Sequence, residues 1–396
     1  MSLVPIIQTK GLSFSYPNKV LALDSVDMVL ERGRKVVFLG PNGAGKSTLF
    51  LQFNGILRPQ SGKVLYEGRE VRYDKRSLSF LRENVGMVLQ NPDDQIFSTT
   101  VEEDVAFGPM NLRLPREEVE RRIDEALHLV WLEDLRERPT QQLSFGQRKR
   151  VSLAGALAMR PKVLIMDEPT AGLDPEMVHE LIELSDELNH RGMTMIMSTH
   201  DMETAYEWAD EMKVLHRGKV IFSGTPEVLF ADQRLVDRLR LVPPFPVLMN
   251  QQLHHRKATP LVPLPRNLME VAEKCFPSSG VWAEAGRPGG KVRIIDVNDP
   301  ESMALAEEAS QRMSDSQLYS GAYGAKARRM IREGKISVHN SFHAMDNAIL
   351  QASLGNEYLL YTDTSLITLV ESKLRRLEEK TGLVLRAETS ANQERA

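Results

Sequence analysis

The sequence predicts an α/β domain followed by a smaller α+β domain. Three observations carry this. From Lys10 to about Leu241, short apolar runs alternate with longer amphipathic stretches. Residues 163–166 (VLIM) are apolar without polar alternation, as in a strand buried on both faces of a parallel sheet. Six prolines then fall between positions 243 and 265, too dense for regular helix or central strand. The expected organisation is a first domain over 1–242, a proline-rich linker over 243–266 and an accessory domain over 267–396.

Residues 36–39 (VVFL) read as a strand, and GPNGAGKST follows at once. Gly40, Gly45, Lys46 and Ser47 satisfy G-x-x-x-x-G-K-[ST] in full. The glycines let successive N–H groups curl inward on phosphate oxygens, and a helix beginning near Lys46 adds its positive end. Gly40, Pro41, Asn42, Gly43, Ala44, Gly45, Lys46, Ser47 and Thr48 make up the expected cradle. Lys46 reaches the β- and γ-phosphates, and the Ser47 hydroxyl ligates Mg²⁺. A glycine-rich turn that binds nothing is the alternative, and the strand before and helix after argue against it.

The VLIM run ends in Asp167, Glu168 and Pro169. A carboxylate at the end of a buried strand is costly unless it has work there. Asp167 holds Mg²⁺, directly or through water, and Glu168 accepts a proton from the water attacking the γ-phosphate. Two further strands end in the same way. Residues 85–89 (VGMVL) lead into Gln90, and 193–198 (MTMIMS) lead into Thr199 and His200. Parallel sheets gather their C-terminal strand ends on one edge. Gly40, Gln90, Asp167 and His200 are therefore expected around one nucleotide. Gln90 senses Mg²⁺ or orients water; His200 hydrogen-bonds the γ-phosphate.

Between these strands stands Leu143-Ser144-Phe145-Gly146-Gln147, followed by RKRVSLAGALA. Here the sequence resembles the ATP-binding-cassette ATPases, whose signature usually reads LSGGQ. The resemblance covers about residues 4–241, with Tyr16, the phosphate loop, Gln90, LSFGQ, Asp167–Glu168, Asp174 in AGLDP and His200 in order. Phe145 departs from the usual glycine. The resemblance implies a P-loop core with a helical signature subdomain, hydrolysing ATP with Mg²⁺. It also implies that Tyr16 stacks on adenine, where a core tyrosine is the other reading. Ser144, Gly146 and Gln147 would meet the γ-phosphate held by a second ATPase subunit, a copy or a paralogue, with Asp174 at that interface.

Residues 90–109 (QNPDDQIFSTTVEEDVAFGP) are similar to the ATPases of energy-coupling-factor importers, and LSFGQRKR resembles the cobalt and nickel members. That implies an ATP-hydrolysing subunit on the cytoplasmic face of the cell membrane, partnered by integral membrane coupling and substrate-binding subunits. Asp94, Gln95, Ile96 and Phe97 would receive the coupling helix; for Ile96 and Phe97, simple core packing is the alternative.

Composition narrows the field. Fifty Lys+Arg against 54 Asp+Glu, a net charge of -4, argue against a nucleic-acid partner. Cys275 alone cannot form an internal disulfide, which fits a reducing cytoplasm. The first residues, MSLVPIIQTKGLSFSYP, lack a signal peptide's pattern, and no stretch reaches ~18 consecutive apolar residues. A DNA-repair ATPase with the same head would carry a long coiled-coil or zinc-bearing insertion, but Leu143 follows Lys46 by only 97 positions. In the tail, strands are expected at 291–297 and 358–361, and helices at 302–313, 344–354 and 365–380. His339 and His343, with Asp346, would share a helical face and bind a transition metal, unless Asn340 and Ser341 cap the helix instead. A regulatory or dimer-stabilising role is expected for the tail.

Overall fold

The computed structural model describes residues 5–17, 20–257, 260–275, 290–312, 318–340, 343–381 and 386–389. The chain forms two compact units: Met1–Val178 with Leu188–Pro244, and His179–Glu187 with Phe245–Ala396.

In the first unit, β1 (Pro5–Ser15), β2 (Leu21–Glu31), β4 (Ser61–Tyr66) and β5 (Arg69–Glu70) make an antiparallel sheet in the order β2-β1-β4-β5. A second sheet runs β10-β9-β3-β8-β7-β6. Its strands are β3 (Lys35–Leu39), β6 (Val85–Val88), β7 (Val163–Asp167), β8 (Thr194–Ser198), β9 (Glu211–His216) and β10 (Lys219–Gly224). Every pairing in it is parallel except β9 with β10. Leu49, Phe50 and Phe53 of the helix Lys46–Phe53 pack between Ile7, Leu30 and Val64 of one sheet and Val36, Phe38 and Ile165 of the other. Each such ring or branched chain contributes about 1.5–3 kcal/mol on burial. This core fixes the helix that carries Lys46.

Register aligns the functional ends. Phe38 pairs with Ser198, Asp167 with Ser198, and Val88 with Met166. The residues that follow β3, β6, β7 and β8 thus leave the sheet on one edge, as parallel pairing requires. Three helices, Val101–Asn111, Arg116–Leu129 and Phe145–Leu157, pack on one another as a helical subdomain. Capping boxes start the first and third: Thr100 with Glu103, and Ser144 with Gln147.

The second unit has a sheet of β11 (Lys291–Asp296), β12 (Leu318–Ala322), β13 (Glu357–Thr362) and β14 (Arg386–Thr389), in the order β12-β13-β11-β14. All its pairings are parallel, which makes it α/β in detail. Alternation sorts its faces. Val292, Ile294, Tyr358 and Leu360 pack with the helices Ala344–Ser353 and Ile367–Thr381; Ile295, Val297, Leu359 and Tyr361 pack with Pro300–Arg312 and Ala325–Arg332. The middle of the helix Pro175–His190 belongs to this unit and presents acids to it. Glu183 pairs with Arg328 at 2.5 Å, both buried; Glu180 meets Arg332 at 3.1 Å, and Asp186 meets Lys373 at 2.6 Å.

Two expectations are corrected. The proline-rich stretch is not irregular throughout, because Phe245–Lys257 is a 13-residue helix. Pro243 and Pro244 precede it and Pro246 is its second residue, where the missing N–H costs no helical bond. His339 and His343 share no helix. Backbone N–H groups of His339 and Asn340 bond Ser320 O, while His343 caps Ala344–Ser353 in the left-handed region (φ 50°). His339 Nδ1 contacts Ser320 Oγ at 2.9 Å, and His343 packs on His179 with ring centroids 3.9 Å apart. Among the described residues, no three His, Cys, Asp or Glu side chains are arranged to hold a metal ion. Nor is any described helix long and apolar enough to cross a membrane.

Candidate active site

The loop after β3 is sterically committed to glycine. A Cβ on Gly40 (φ 142°) would come within 2.2 Å of Leu215 O, and one on Gly45 (φ 108°) within 2.4 Å of Ala22 O. The helix starts at Lys46, so its unpaired N–H groups face the loop's concavity. Lys46 is buried, and its ammonium donates to Gly40 O at 2.7 Å. Burial lowers its pKa, while the carboxylates of Glu168 and Asp167 oppose that shift. Ser47 is exposed on the loop side, and Thr48 is buried and 3.1 Å from the Tyr16 hydroxyl. Tyr16 is thus held beside the loop, half-exposed, its ring edge-on to Phe14 at 5.2 Å.

Asp167 and Glu168 lie across from this loop. The fully buried Ser198 hydroxyl accepts from the Glu168 N–H at 2.9 Å and donates to Asp167 Oδ1 at 2.5 Å. Glu168 itself takes φ 48°, a left-handed conformation unusual for a residue with a long side chain. Its carboxyl is buried and its pKa raised: desolvation and Asp167 push it up, while His200 and Lys46 pull it down. His200 Nε2 lies 3.1 Å from Glu168 Oε1 and 3.0 Å from Asn42 Oδ1. Of the two, the Asn42 contact is the hydrogen bond, and an amide oxygen accepts, so Nε2 donates there; the Glu168 contact is electrostatic. Gln90 follows β6 on the same edge and is exposed.

The LSFGQ segment is on the surface. Ser144 and Phe145 are exposed, and Gln147 Oε1 accepts the Ser144 N–H at 2.9 Å. Ser144 therefore caps a helix whose N-terminus faces outward, a ready site for an anion. A Cβ on Gly146 would come within 2.4 Å of Met177. Asp174 is exposed and accepts the Met177 N–H at 2.8 Å, starting the helix Pro175–His190.

Similarity to known proteins supplies the family. A sequence profile described as ABC transporter matches residues 23–171. A Methanospirillum hungatei protein named energy-coupling factor transporter ATP-binding protein EcfA2 is 38% identical over 384 residues, 92% of either chain. This chain belongs to the ABC transporter ATPases. A Methanocaldococcus jannaschii protein named energy-coupling factor transporter ATP-binding protein EcfA is 51% identical over 236 residues, 60% of this chain and 85% of that one. Among solved structures, cbiO1 from Clostridium perfringens, described as part of the ABC transporter complex cbiONQ, superposes with a TM-score of 0.54 at 40% identity. It covers 64% of this chain and 96% of that one. A cassette solved as a dimer in a post-hydrolysis state with ADP and Pi, MJ0796, matches at 27% identity, TM-score 0.52, over 56% and 99%.

This ABC ATPase is an ATP-hydrolysing enzyme, and its fold is the one the motifs implied. The region after Gln90 needs one correction. Gln95 spends its side chain inside its own unit: Oε1 accepts the Leu89 N–H at 2.9 Å, and Nε2 donates to Met87 O and Ser152 O at 3.2 Å each. It is a brace and does not face outward. Phe97 does, at 64% exposure, edge-on to the exposed Phe107 at 4.6 Å, with Met110 exposed on the same helix. Phe107 and Met110 do not stand out in the sequence. Their one signal is that the second half of this helix, AFGPM, carries apolar residues beyond those it buries (Val101, Val105, Ala106 and Pro109). Ser198 and Lys149 have no local signal at all.

Proposed function

We propose that this chain is the ATP-hydrolysing subunit that energises an energy-coupling-factor type membrane importer, working on the cytoplasmic face of the membrane as one half of an ATPase dimer. The observation that carries the catalytic part is the His200–Glu168 contact across from Lys46. It brings a cation, a buried base and a phosphate loop within one side chain's reach of each other.

ATP would lie along the loop with Tyr16 against the adenine. Lys46 would exchange the Gly40 carbonyl for the β- and γ-phosphate oxygens, a trade that the loss of water around it favours. Glu168, raised by burial, has the basicity to take a proton from the attacking water. The water's oxygen bonds the γ-phosphorus as the bond to the β-phosphate oxygen breaks, releasing ADP and phosphate. His200, its Nε2 3.1 Å from Glu168 Oε1, acts on that carboxylate electrostatically and would stand beside the γ-phosphate position. Ser47, Gln90 and Asp167 offer a hydroxyl, an amide oxygen and one carboxylate, the hard oxygen set that suits Mg²⁺ completed by substrate phosphates. Mg²⁺ supplies charge neutralisation of the phosphates.

Ser144, exposed at a helix start with the buried Gly146 and half-buried Gln147 behind it, would close on the γ-phosphate of the partner subunit, with Asp174 beside them. The pair would close on ATP and open after hydrolysis. Asp94 and Phe97, joined by Phe107 and Met110 and with the half-buried Ile96 between them, would form the patch for the coupling helix of a membrane subunit. Cobalt or nickel is the cargo that the LSFGQRKR resemblance supports; a separate membrane subunit would select it. The test is a detergent pull-down with the full chain, followed by uptake of labelled cobalt, nickel and vitamins into vesicles holding the recovered complex. ATP-dependent uptake of either ion supports the reading. Capture of no integral membrane protein, with ATPase activity intact, overturns the transport half.

A further inference from the structure

Lys149 lies on the helix Phe145–Leu157, five positions beyond the Ser144 cap, and is only 6% exposed. Its ammonium gathers three carbonyls of one short segment: Glu168 O at 3.1 Å, Pro169 O at 2.9 Å and Ala171 O at 2.7 Å. It also sits 5.5 Å from the centroid of the Phe145 ring. An ammonium has three protons to donate, and here three main-chain oxygens match them. A cation is expensive to bury, and hydrogen bonds of this number are what make the position tenable. The segment it gathers begins at Glu168, whose φ of 48° needs support from outside the residue itself.

We infer that Lys149 is a positioning residue for hydrolysis: its ammonium pins the left-handed turn after β7 and so fixes where the Glu168 carboxylate points. This rests on the reading of Glu168 as the base. The turn is held from two sides, by Ser198 Oγ at the Glu168 N–H and by Lys149 at the Glu168 carbonyl, so φ and ψ of that residue are both anchored. The helix that supplies Lys149 is the one that carries Ser144 at its start. One rigid element therefore sets both the anion-facing cap and the geometry of the base. A methionine at 149 would keep the volume and lose every donor; a glutamine would keep two; an arginine would keep charge in a flat fork unable to converge on three carbonyls from one point.

The test uses the purified full chain with Mg·ATP, measuring kcat, KM, thermal midpoint and affinity for a fluorescent ATP analogue. Lys149→Met is expected to lower kcat about 10- to 100-fold with KM and analogue affinity within about twofold, since a base displaced by an ångström is a kcat defect. Lys149→Gln falls between, and Lys149→Arg does not restore the rate. On a Glu168→Gln background, Lys149→Met adds no further loss, because it acts through that carboxylate. Unchanged kcat in a folded Lys149→Met or Lys149→Gln protein overturns the proposal. So does a parallel loss of kcat, analogue affinity and thermal midpoint, or a loss that multiplies with that of Glu168→Gln. Should Lys149→Met not fold, the Gln and Arg variants take its place, and an unchanged kcat in either overturns the proposal. Wild-type rates from Glu168→Gln alone would instead remove the base and leave the brace without a purpose.

Discussion

His200 Nε2 hydrogen-bonds Asn42 of the phosphate loop at 3.0 Å and stands 3.1 Å from the Glu168 carboxyl. One proton thus spans residues 158 positions apart and ties the end of β8 to the loop after β3. The ring's Coulombic influence also lowers the pKa of a carboxyl that burial raises.

Glu168→Gln should abolish hydrolysis, by about 100-fold or more, yet stabilise the nucleotide-free protein at neutral pH. The carboxyl is raised above its ordinary 4.5 on folding. Its stabilising contribution is therefore fully present below that value and is lost as pH rises through the folded value, above which the buried carboxylate is a net cost. Melting curves at several pH values check this: the variant's advantage should shrink as pH falls. A variant less stable than wild type at pH 7 would refute it.

Removing the imidazole acts in the opposite sense on the same group. His200→Ala takes away the ring whose Coulombic influence pulls the Glu168 pKa down, so the acidic limb of the kcat profile should move to higher pH. The maximal rate should drop about 10- to 100-fold as the carboxylate loses its guide. An acidic limb that stays in place would dissociate the two residues.

Ser198→Ala leaves the Glu168 N–H and Asp167 Oδ1 without their shared hydroxyl in a fully buried setting. The expected cost is about 1–3 kcal/mol, visible as a loss of several degrees in thermal midpoint. ATPase assays should show reduced kcat even at temperatures where the variant is fully folded.

Phe107→Glu puts a charge into the exposed Phe97–Phe107 pair, remote from the phosphate loop in sequence and contact. ATP hydrolysis by the isolated chain should stay within about twofold of wild type, while recovery of membrane subunits in the pull-down is lost. Equal recovery with both proteins would move the docking site elsewhere.

In the second unit, Arg328→Met takes the guanidinium from the buried Glu183 and should cost about 3–5 kcal/mol. Adding Glu183→Leu should recover most of it. Urea unfolding followed by circular dichroism measures both, and a double variant no better than the single would show that the pair contributes little.

Much of this was legible in the chain. The phosphate loop, the strand-end acids and the strand-end His200 follow local rules, and parallel register brings them together without further information. What stayed hidden depends on where side chains of distant elements meet. Lys149 reads as one more cation in RKR, and nothing local says that it turns inward to three carbonyls. Gln95 looks like a polar surface residue until β6 and the Phe145–Leu157 helix supply it with backbone partners. The helix Phe245–Lys257 was hidden for another reason: proline counts ignore that a helix's first turn has no use for those N–H groups.

Glu180, Glu183 and Asp186 recur every third residue along one stripe of the helix Pro175–His190, and Arg332, Arg328 and Lys373, which answer them, all come from beyond residue 320. A gene shortened at codon 244 would therefore encode an acidic stripe without these three cations, with like charges crowding a helix that begins beside Asp174. Excising the cassette for expression alone calls for neutral replacements at those three positions, or for keeping the tail.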